Sequence, residues 1–248
     1  MKAVYEDHMG TDLRVVNSAR VSFSNKSWFI DGEYIPKKEH RRYEQWLRYH
    51  DYMSLRDPTR ILSLADFGLI QYLASHGHWT PFAHPHITLV MQAPVPIRTQ
   101  CFKHKSGFVE NEESRRYIKS TPKLFIPDEF RKSPENAKQG SSGVHTYSDH
   151  WKMMYESSCR EAISIYEMMI QDGVAPEQAR FVLPQGVEVE WYWTGSLAAF
   201  ARFYSQRMDP HAQLEIRKLA FEVGKIIQPL YPVSWAALTK GVNSANYD

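Results

Sequence analysis

From residue 187 to 193 apolar and polar side chains take turns, Val187, Val189, Trp191 and Trp193 against Glu188, Glu190 and Tyr192. A period of two puts the first set on one face of an extended strand, so this segment must lie half-buried on a core. Residues 86–93 repeat the pattern with Ile87, Leu89 and Met91, and Pro94 and Pro96 end it. Helical periods surround these strands. Residues 62–75 carry Leu64, Phe67, Ile70, Leu73 and Ala74 on one face and stop at Gly77; residues 147–172 turn Trp151, Met154, Tyr155, Ala162, Tyr166 and Met169 inward and stop at Gly173. Pro96 starts a helix through 105, Pro176 a short turn, Ser196 caps a helix over 197–206, and Asp209-Pro210 opens a last long helix to 227. The mixture predicts an α+β fold, an antiparallel or mixed sheet packed with helices, in one domain spanning residues 1–248.

At 248 residues the chain can bury a sizeable core, and 43% hydrophobic with 23% charged residues is ordinary for a soluble protein. No apolar run reaches membrane-spanning length, residues 1–8 lack a signal-peptide stretch, and a cytoplasmic location without membrane partners is expected. A net charge of +2 gives no general reason to expect nucleic acid. Cys101 and Cys159 stand in no metal-ligand spacing, and His76, His78 and His84 form no HExxH pairing, so neither a disulfide framework nor a metal site is expected. Cys101 reads better as a small buried hydrophobe than as a nucleophile. Residues 133–143, rich in Ser, Gly, Asn and Lys, read as a mobile surface loop.

Residues 24–59 interleave Trp28, Phe29, Tyr34, Tyr43, Trp46, Tyr49 and Tyr52 with Lys37, Lys38, Arg41 and Arg42, and the second half reads as a helix from near Pro36. A basic aromatic helix can stack single-stranded nucleic acid, which is the reading of a non-enzymatic binding protein. The better reading is an amphipathic segment packed on its own domain or on a neighbouring subunit.

Residues 100–117 are the densest in chemistry. Lys103, His104 and Lys105, then Asn111, Glu112, Ser114 and Arg116, gather around a glycine-bearing loop that follows a helix end. Lysines neutralise phosphate, arginine grips it with a planar fork, and a serine hydroxyl with its backbone N–H completes a cradle. The stretch resembles the signature of the flavin-dependent thymidylate synthases, an Arg-His-Arg triplet followed at an interval by Ser, Arg and Tyr. Here the triplet is Lys103-His104-Lys105, residues 106–113 make an eight-residue gap, and Ser114-Arg115-Arg116-Tyr117 closes it. Both substitutions keep charge and lose bidentate geometry, which bears first on cofactor affinity.

Other blocks follow in the family's order. They are Asp12-Leu13 and Ala19-Arg20-Val21-Ser22-Phe23; His78-Trp79-Thr80-Pro81-Phe82-Ala83-His84, where Ala83 replaces a common Glu; Glu177 and Arg180 before Val182-Leu183-Pro184; and Arg207 ahead of Ala212-Gln213-Leu214-Glu215-Ile216-Arg217. Residues 24–59 fall largely outside the resemblance and read as an insertion.

The resemblance implies reductive methylation of deoxyuridine monophosphate (dUMP) to thymidine monophosphate. Methylenetetrahydrofolate gives the carbon, reduced FAD the hydride and NADPH the electrons, in a homotetramer with shared sites. It implies Arg207 as the catalytic residue holding negative charge on the activated uracil. It implies Gln100, Lys103, Glu112, Glu113, Ser114, Arg115, Arg116 and Arg180 with Arg207 at dUMP. FAD falls to Ser22, His78, Thr80, Lys103, His104, Lys105, Asn111, Glu112, Ser196, Ala198, Arg202 and His211. A flavin- and folate-dependent pyrimidine hydroxymethylase is the nearest alternative activity.

Overall fold

A computed structural model describes residues 1–31, 34, 36–38, 40–135 and 140–242. Its centre is an antiparallel sheet of four strands, β1 (Lys2–Met9), β2 (His86–Pro94), β3 (Phe108–Glu112) and β6 (Glu188–Ser196), in the order β1-β2-β6-β3. The two strands legible from alternation are the two central ones, paired from His86 with Ser196 to Pro94 with Glu188. Ile87, Leu89, Met91 and Ala93 share the buried face with Val189, Trp191 and Trp193. On the opposite face Thr88 and Thr194 join hydroxyls at 2.9 Å. A Cβ at Gly195 would stand 2.4 Å from the Phe108 ring, so glycine there lets Phe108 stack on Trp193 at 4.3 Å.

Helices cover the apolar face. α1 (Asp12–Arg20) and α2 (Tyr43–Arg56) precede α3 (Leu64–Ser75), whose Ser63 hydroxyl accepts the Asp66 N–H as an N-cap. α3 ends where Gly77 takes φ +68°, as its sequence required. α4 (Val95–Phe102) leads into β3; β4 (Arg131–Lys132) and β5 (Ser142–Val144) form a small ribbon before α5 (Ser148–Gln171) and the single turn α6 (Pro176–Ala179). α7 (Leu197–Arg207) starts on Ser196, whose hydroxyl accepts the Ala199 N–H at 3.2 Å. α8 (Leu214–Ile227) buries Ile216, Leu219, Ala220, Val223 and Ile227, and α9 (Pro232–Leu238) follows.

Several boundaries differ from those predicted. α2 begins at Tyr43 rather than near Pro36; Gly32, Glu33, Ile35 and Glu39 lie outside the described residues. α4 ends at Phe102, three residues short, because the chain must reverse at Gly107, φ +81°, to enter β3. Residues 108–112 are therefore an edge strand and not a loop. Asp209-Pro210 opens no helix, since the Asp209 carboxylate accepts the His211 N–H in a local turn and α8 waits until Leu214. α5 buries Cys159, Ile163 and Tyr166, while Trp151 and Met154 are about half exposed, at 49% and 47%. The 133–143 loop is partly the β4–β5 ribbon, with 136–139 outside the described residues.

α2 is tied into the main core. Trp46 is fully buried and its indole N–H donates to the Leu62 carbonyl at 2.9 Å. The Tyr49 hydroxyl donates to the Arg60 carbonyl at 3.1 Å and accepts the Leu62 N–H at 2.9 Å. Truncating a side chain as large and as buried as Trp46 costs about 3–5 kcal/mol.

Two buried carboxylates organise the ends of this helical layer. Asp12 accepts the N–H groups of Val233 and Ser234, each at 2.9 Å, and so holds the first turn of α9. Burial pushes its carboxyl upward, opposed by those same hydrogen bonds. Asp66 takes Arg20 Nε at 3.0 Å and Nη2 at 2.6 Å, Ser27 Oγ at 2.8 Å and Ser63 Oγ at 2.9 Å. That pins the turn after α1, which leaves Val21, Ser22 and Phe23 exposed.

Candidate functional site

α4 and α7 bring together the first group of candidate residues. Arg207, the last residue of α7, donates from Nε to His104 Nε2 at 2.9 Å and from Nη2 to the Gln100 carbonyl at 3.2 Å. His104 is only 7% exposed and packs edge-on against Phe203, with ring centroids 5.1 Å apart. Because Nε2 accepts, the proton of the neutral ring sits on Nδ1. Burial first, then the positive charges of Arg207 and Arg202, push the imidazole down to about 4. It is uncharged at neutral pH, and the cation in this pair is the guanidinium.

The turn between α4 and β3 is fixed on the start of α7. Ser196 N–H donates to the Gly107 carbonyl at 3.1 Å, and Arg202 donates to the Ser106 carbonyl. A Cβ at Gly107 would come within 3.0 Å of the Ala199 Cβ and 3.1 Å of the Ser196 hydroxyl. Glycine is thus demanded twice, by positive φ and by close approach. Lys105 pairs with Glu110 along the surface, while Lys103 is exposed with no partner among the described residues. Gln100 donates to the Gln213 side chain at 2.6 Å, which connects α4 to the segment before α8.

A second group lines an open cleft of about 440 Å³. Glu112, Glu113, Ser114 and Arg115 reach it from the end of β3, and Arg180 with Leu183 and Pro184 from the segment after α6. Glu113 is held by pairing with Glu190, its N–H on the Glu190 carbonyl at 2.9 Å. Burial raises the Glu112 carboxyl, with Arg98 opposing. The Glu177 carboxylate does not bond Arg180; it pairs with Arg116 at 3.3 Å, and Arg180 Nε donates instead to the Glu177 backbone carbonyl. Arg98 and Gln185 also line the cleft and carry no motif. Arg98 precedes Gln100 on the same helix, and that extra cation beside the signature was the available signal.

The candidate flavin residues are spread more widely. The turn Thr80–Ala83 packs on α1 and α7, which places Thr80 on the layer that carries Ser196, Ala198 and Arg202. Ser22, His78 and Thr80 are exposed, and so are their neighbours Phe23 (84%) and Trp79 (65%). Asn111 is exposed on β3, and His211 is exposed and bound to Asp209 at 3.0 Å. Exposed rings beside hydroxyls, an imidazole and an uncommitted ammonium are the donor set and apolar surface that a phosphate-bearing flavin requires, so these residues fit that cofactor. Cys101 is fully buried and its thiol is pushed up to about 12, which leaves no thiolate for nucleophilic attack. Among the described residues no group of three potential ligands could hold a metal ion, and no helix is long and apolar enough to cross a membrane.

An α+β domain that sets an arginine on a neutral imidazole, and separately lines a cleft with arginines, carries groups suited to anionic ring compounds. The family model described as "Thymidylate synthase complementing protein" matches residues 5–233. The flavin-dependent thymidylate synthase of Thermosipho africanus is 31% identical over 236 residues, covering 94% of this chain and 89% of that protein. That of Thermotoga neapolitana is 30% identical over 239 residues, covering 94% and 88%. A crystal structure of the UMP/dUMP methylase PolB from Streptomyces cacaoi, bound with 5-Br dUMP, has the same fold, with a TM-score of 0.73 at 24% identity over 96% of this chain and 94% of that one. The chain belongs to the Thy1 family, that of the flavin-dependent thymidylate synthases.

Proposed function

We propose that this protein methylates dUMP to thymidine monophosphate, taking carbon from methylenetetrahydrofolate, hydride from reduced FAD and electrons from NADPH. The observation that carries this reading is the Arg207–His104 pair, which aims a fixed cation out of a buried, uncharged support. Uracil C5 is a weak carbon nucleophile and must gain electron density before it attacks. A cysteine adding at C6 is one solution, and Cys101, buried and protonated, does not offer it. In the remaining route the protein positions the ring and stabilises developing charge. FAD, when bound, supplies hydride; Ser22, His78, Thr80, Lys103, His104 and Lys105, with Asn111, Ser196, Ala198, Arg202 and His211, are the residues proposed to hold it.

Arg207 holds the anionic character of the uracil carbonyls, with Nη1 and the second N–H of Nη2 left over once Nε is spent on His104 and Nη2 on the Gln100 carbonyl. Neutral His104 keeps the guanidinium pointed without competing for the negative charge. Glu112, Glu113, Ser114, Arg115 and Arg180, which line the cleft, fix the nucleotide, together with Arg116, Gln100 and Lys103, which lie outside its lining and are carried by the signature. We propose further that the chain works as a homotetramer in the cytoplasm. In support, α5 presents Trp151, Met154, Ile165 and Met168 at helical spacing, all more than a third exposed. The buried Tyr43, Trp46 and Tyr49 count against a nucleic-acid platform at residues 24–59.

The test is incubation with dUMP, methylenetetrahydrofolate and NADPH, followed by mass measurement of the nucleotide. A gain of one methyl group is the expected result. A hydroxymethyl product reassigns the enzyme to the alternative activity, and no product with a colourless protein overturns the proposal.

A further inference from the structure

Arg98 is the one cation of the cleft that no sequence block accounts for. It projects from α4, and its side chain is 24% exposed, as is that of Glu112 opposite. Arg98 Nε stands 2.8 Å from Glu112 Oε2, yet the two are misaligned, and both atoms are buried without a formed hydrogen bond. The guanidinium also lies 5.2 Å from the Phe102 ring centroid, which supports one side of it. Its remaining N–H groups donate to no protein acceptor among the described residues. A half-buried guanidinium with unused donors is an expensive arrangement unless a ligand completes it.

The surroundings name the chemistry of that ligand. Ser114, Arg115 and Arg180 line the same cleft of about 440 Å³, so three guanidinium groups and a hydroxyl gather in a space of small-molecule size. Planar forks of this kind match the oxygens of a phosphate dianion. Glu112, the one carboxylate paired with Arg98 among the described residues, is too poorly aligned to satisfy its donors, and Glu113 also lines the cleft. We propose that Arg98 is a phosphate-binding residue of the nucleotide site, leaning on Glu112 until the phosphate of a nucleoside monophosphate takes its free N–H groups. This rests on the nucleotide reading given above and adds a residue to it.

The test compares dUMP with deoxyuridine, which lacks the phosphate, on the flavin-loaded protein and on Arg98→Gln and Arg98→Lys. Arg98→Gln weakens dUMP about 10- to 100-fold, as expected for charge-assisted hydrogen bonds, and leaves deoxyuridine within about twofold. Arg98→Lys restores part of the loss, since it returns the charge without the fork. Equal weakening of both ligands makes Arg98 a support for Glu112 and overturns the proposal, as does unchanged dUMP affinity. Flavin absorbance reports folding of each variant; if Arg98→Gln loses it, the ratio of the two affinities in Arg98→Lys decides in the same way. Parent protein that fails to bind dUMP overturns the nucleotide reading and this one with it, whereas a parent that binds dUMP while Arg98→Gln binds it equally well overturns this one alone.

Discussion

The two groups of candidate residues obey opposite rules. Around His104, Arg207, Gln100 and Gly107 the side chains satisfy one another, and burial holds them in a single arrangement. Around Arg98, Glu112, Ser114 and Arg180 the space is open and charges face each other without well-formed bonds. The first group is a preorganised electrostatic fixture, able to act on charge that develops during reaction without rearranging. The second is a receptor whose polar groups find full partners in a ligand. Substitution in the fixture should therefore damage turnover and stability together, while substitution in the cleft should damage binding alone.

Arg207→Ala should break this contrast most visibly. Turnover is expected to fall about 10²- to 10³-fold, as when one preorganised donor is lost, with flavin still bound. Steady-state kinetics beside the flavin spectrum check it; activity near that of the parent removes Arg207 from the mechanism. Next in size is Gly107→Ala. A side chain at φ +81° with a neighbour at 3.0 Å should destabilise the fold by about 1–3 kcal/mol, read from denaturant midpoints.

A pH effect of similar order belongs to His104. Its folded value near 4 lies below the 6.5 of a free imidazole, so the unfolded chain binds the extra proton between those values. Stability from this group is complete above about 6.5 and is lost as pH falls toward 4. His104→Gln should flatten that part of the stability profile, and an unchanged slope would mean the imidazole is not held neutral. The smallest effect on stability is expected from Arg180→Ala, within about 0.5 kcal/mol, because the side chain is exposed and donates only to the Glu177 carbonyl. The same variant should weaken dUMP at least tenfold, and a clear loss of stability without loss of affinity would erase the distinction between fixture and receptor.

What could be read from the sequence was what local periodicity records. Trp191 and Trp193 declared a strand, and Gly77 marked the stop of α3, because each signal is complete within a few residues, whereas the start of α3 at the Ser63 cap, two residues later than expected, was not read. β3 escaped because only Phe108 of its five residues is buried, leaving an edge strand with the composition of a loop. α9 escaped because its cap, Asp12, comes from the opposite end of the chain. The triplet and Arg207 were legible as motifs, but their hydrogen bond was not, since it spans β3, α5 and β6. Arg98 was passed over for a related reason: it has no meaning along its own helix and gains one only opposite Glu112.

The clasp between Asp12 and the N–H groups of Val233 and Ser234 bears on how the protein is made. A ribosome delivers residue 12 long before 233 and 234, and until then the carboxylate has neither of its backbone donors and no reason to leave water. The layer formed by α1, α3 and α9 is thus completed only after residues 233 and 234 have been made, later than every strand of the central sheet. Nascent chains halted before α9 should hold the sheet while leaving the start of α1 without its partner in α9.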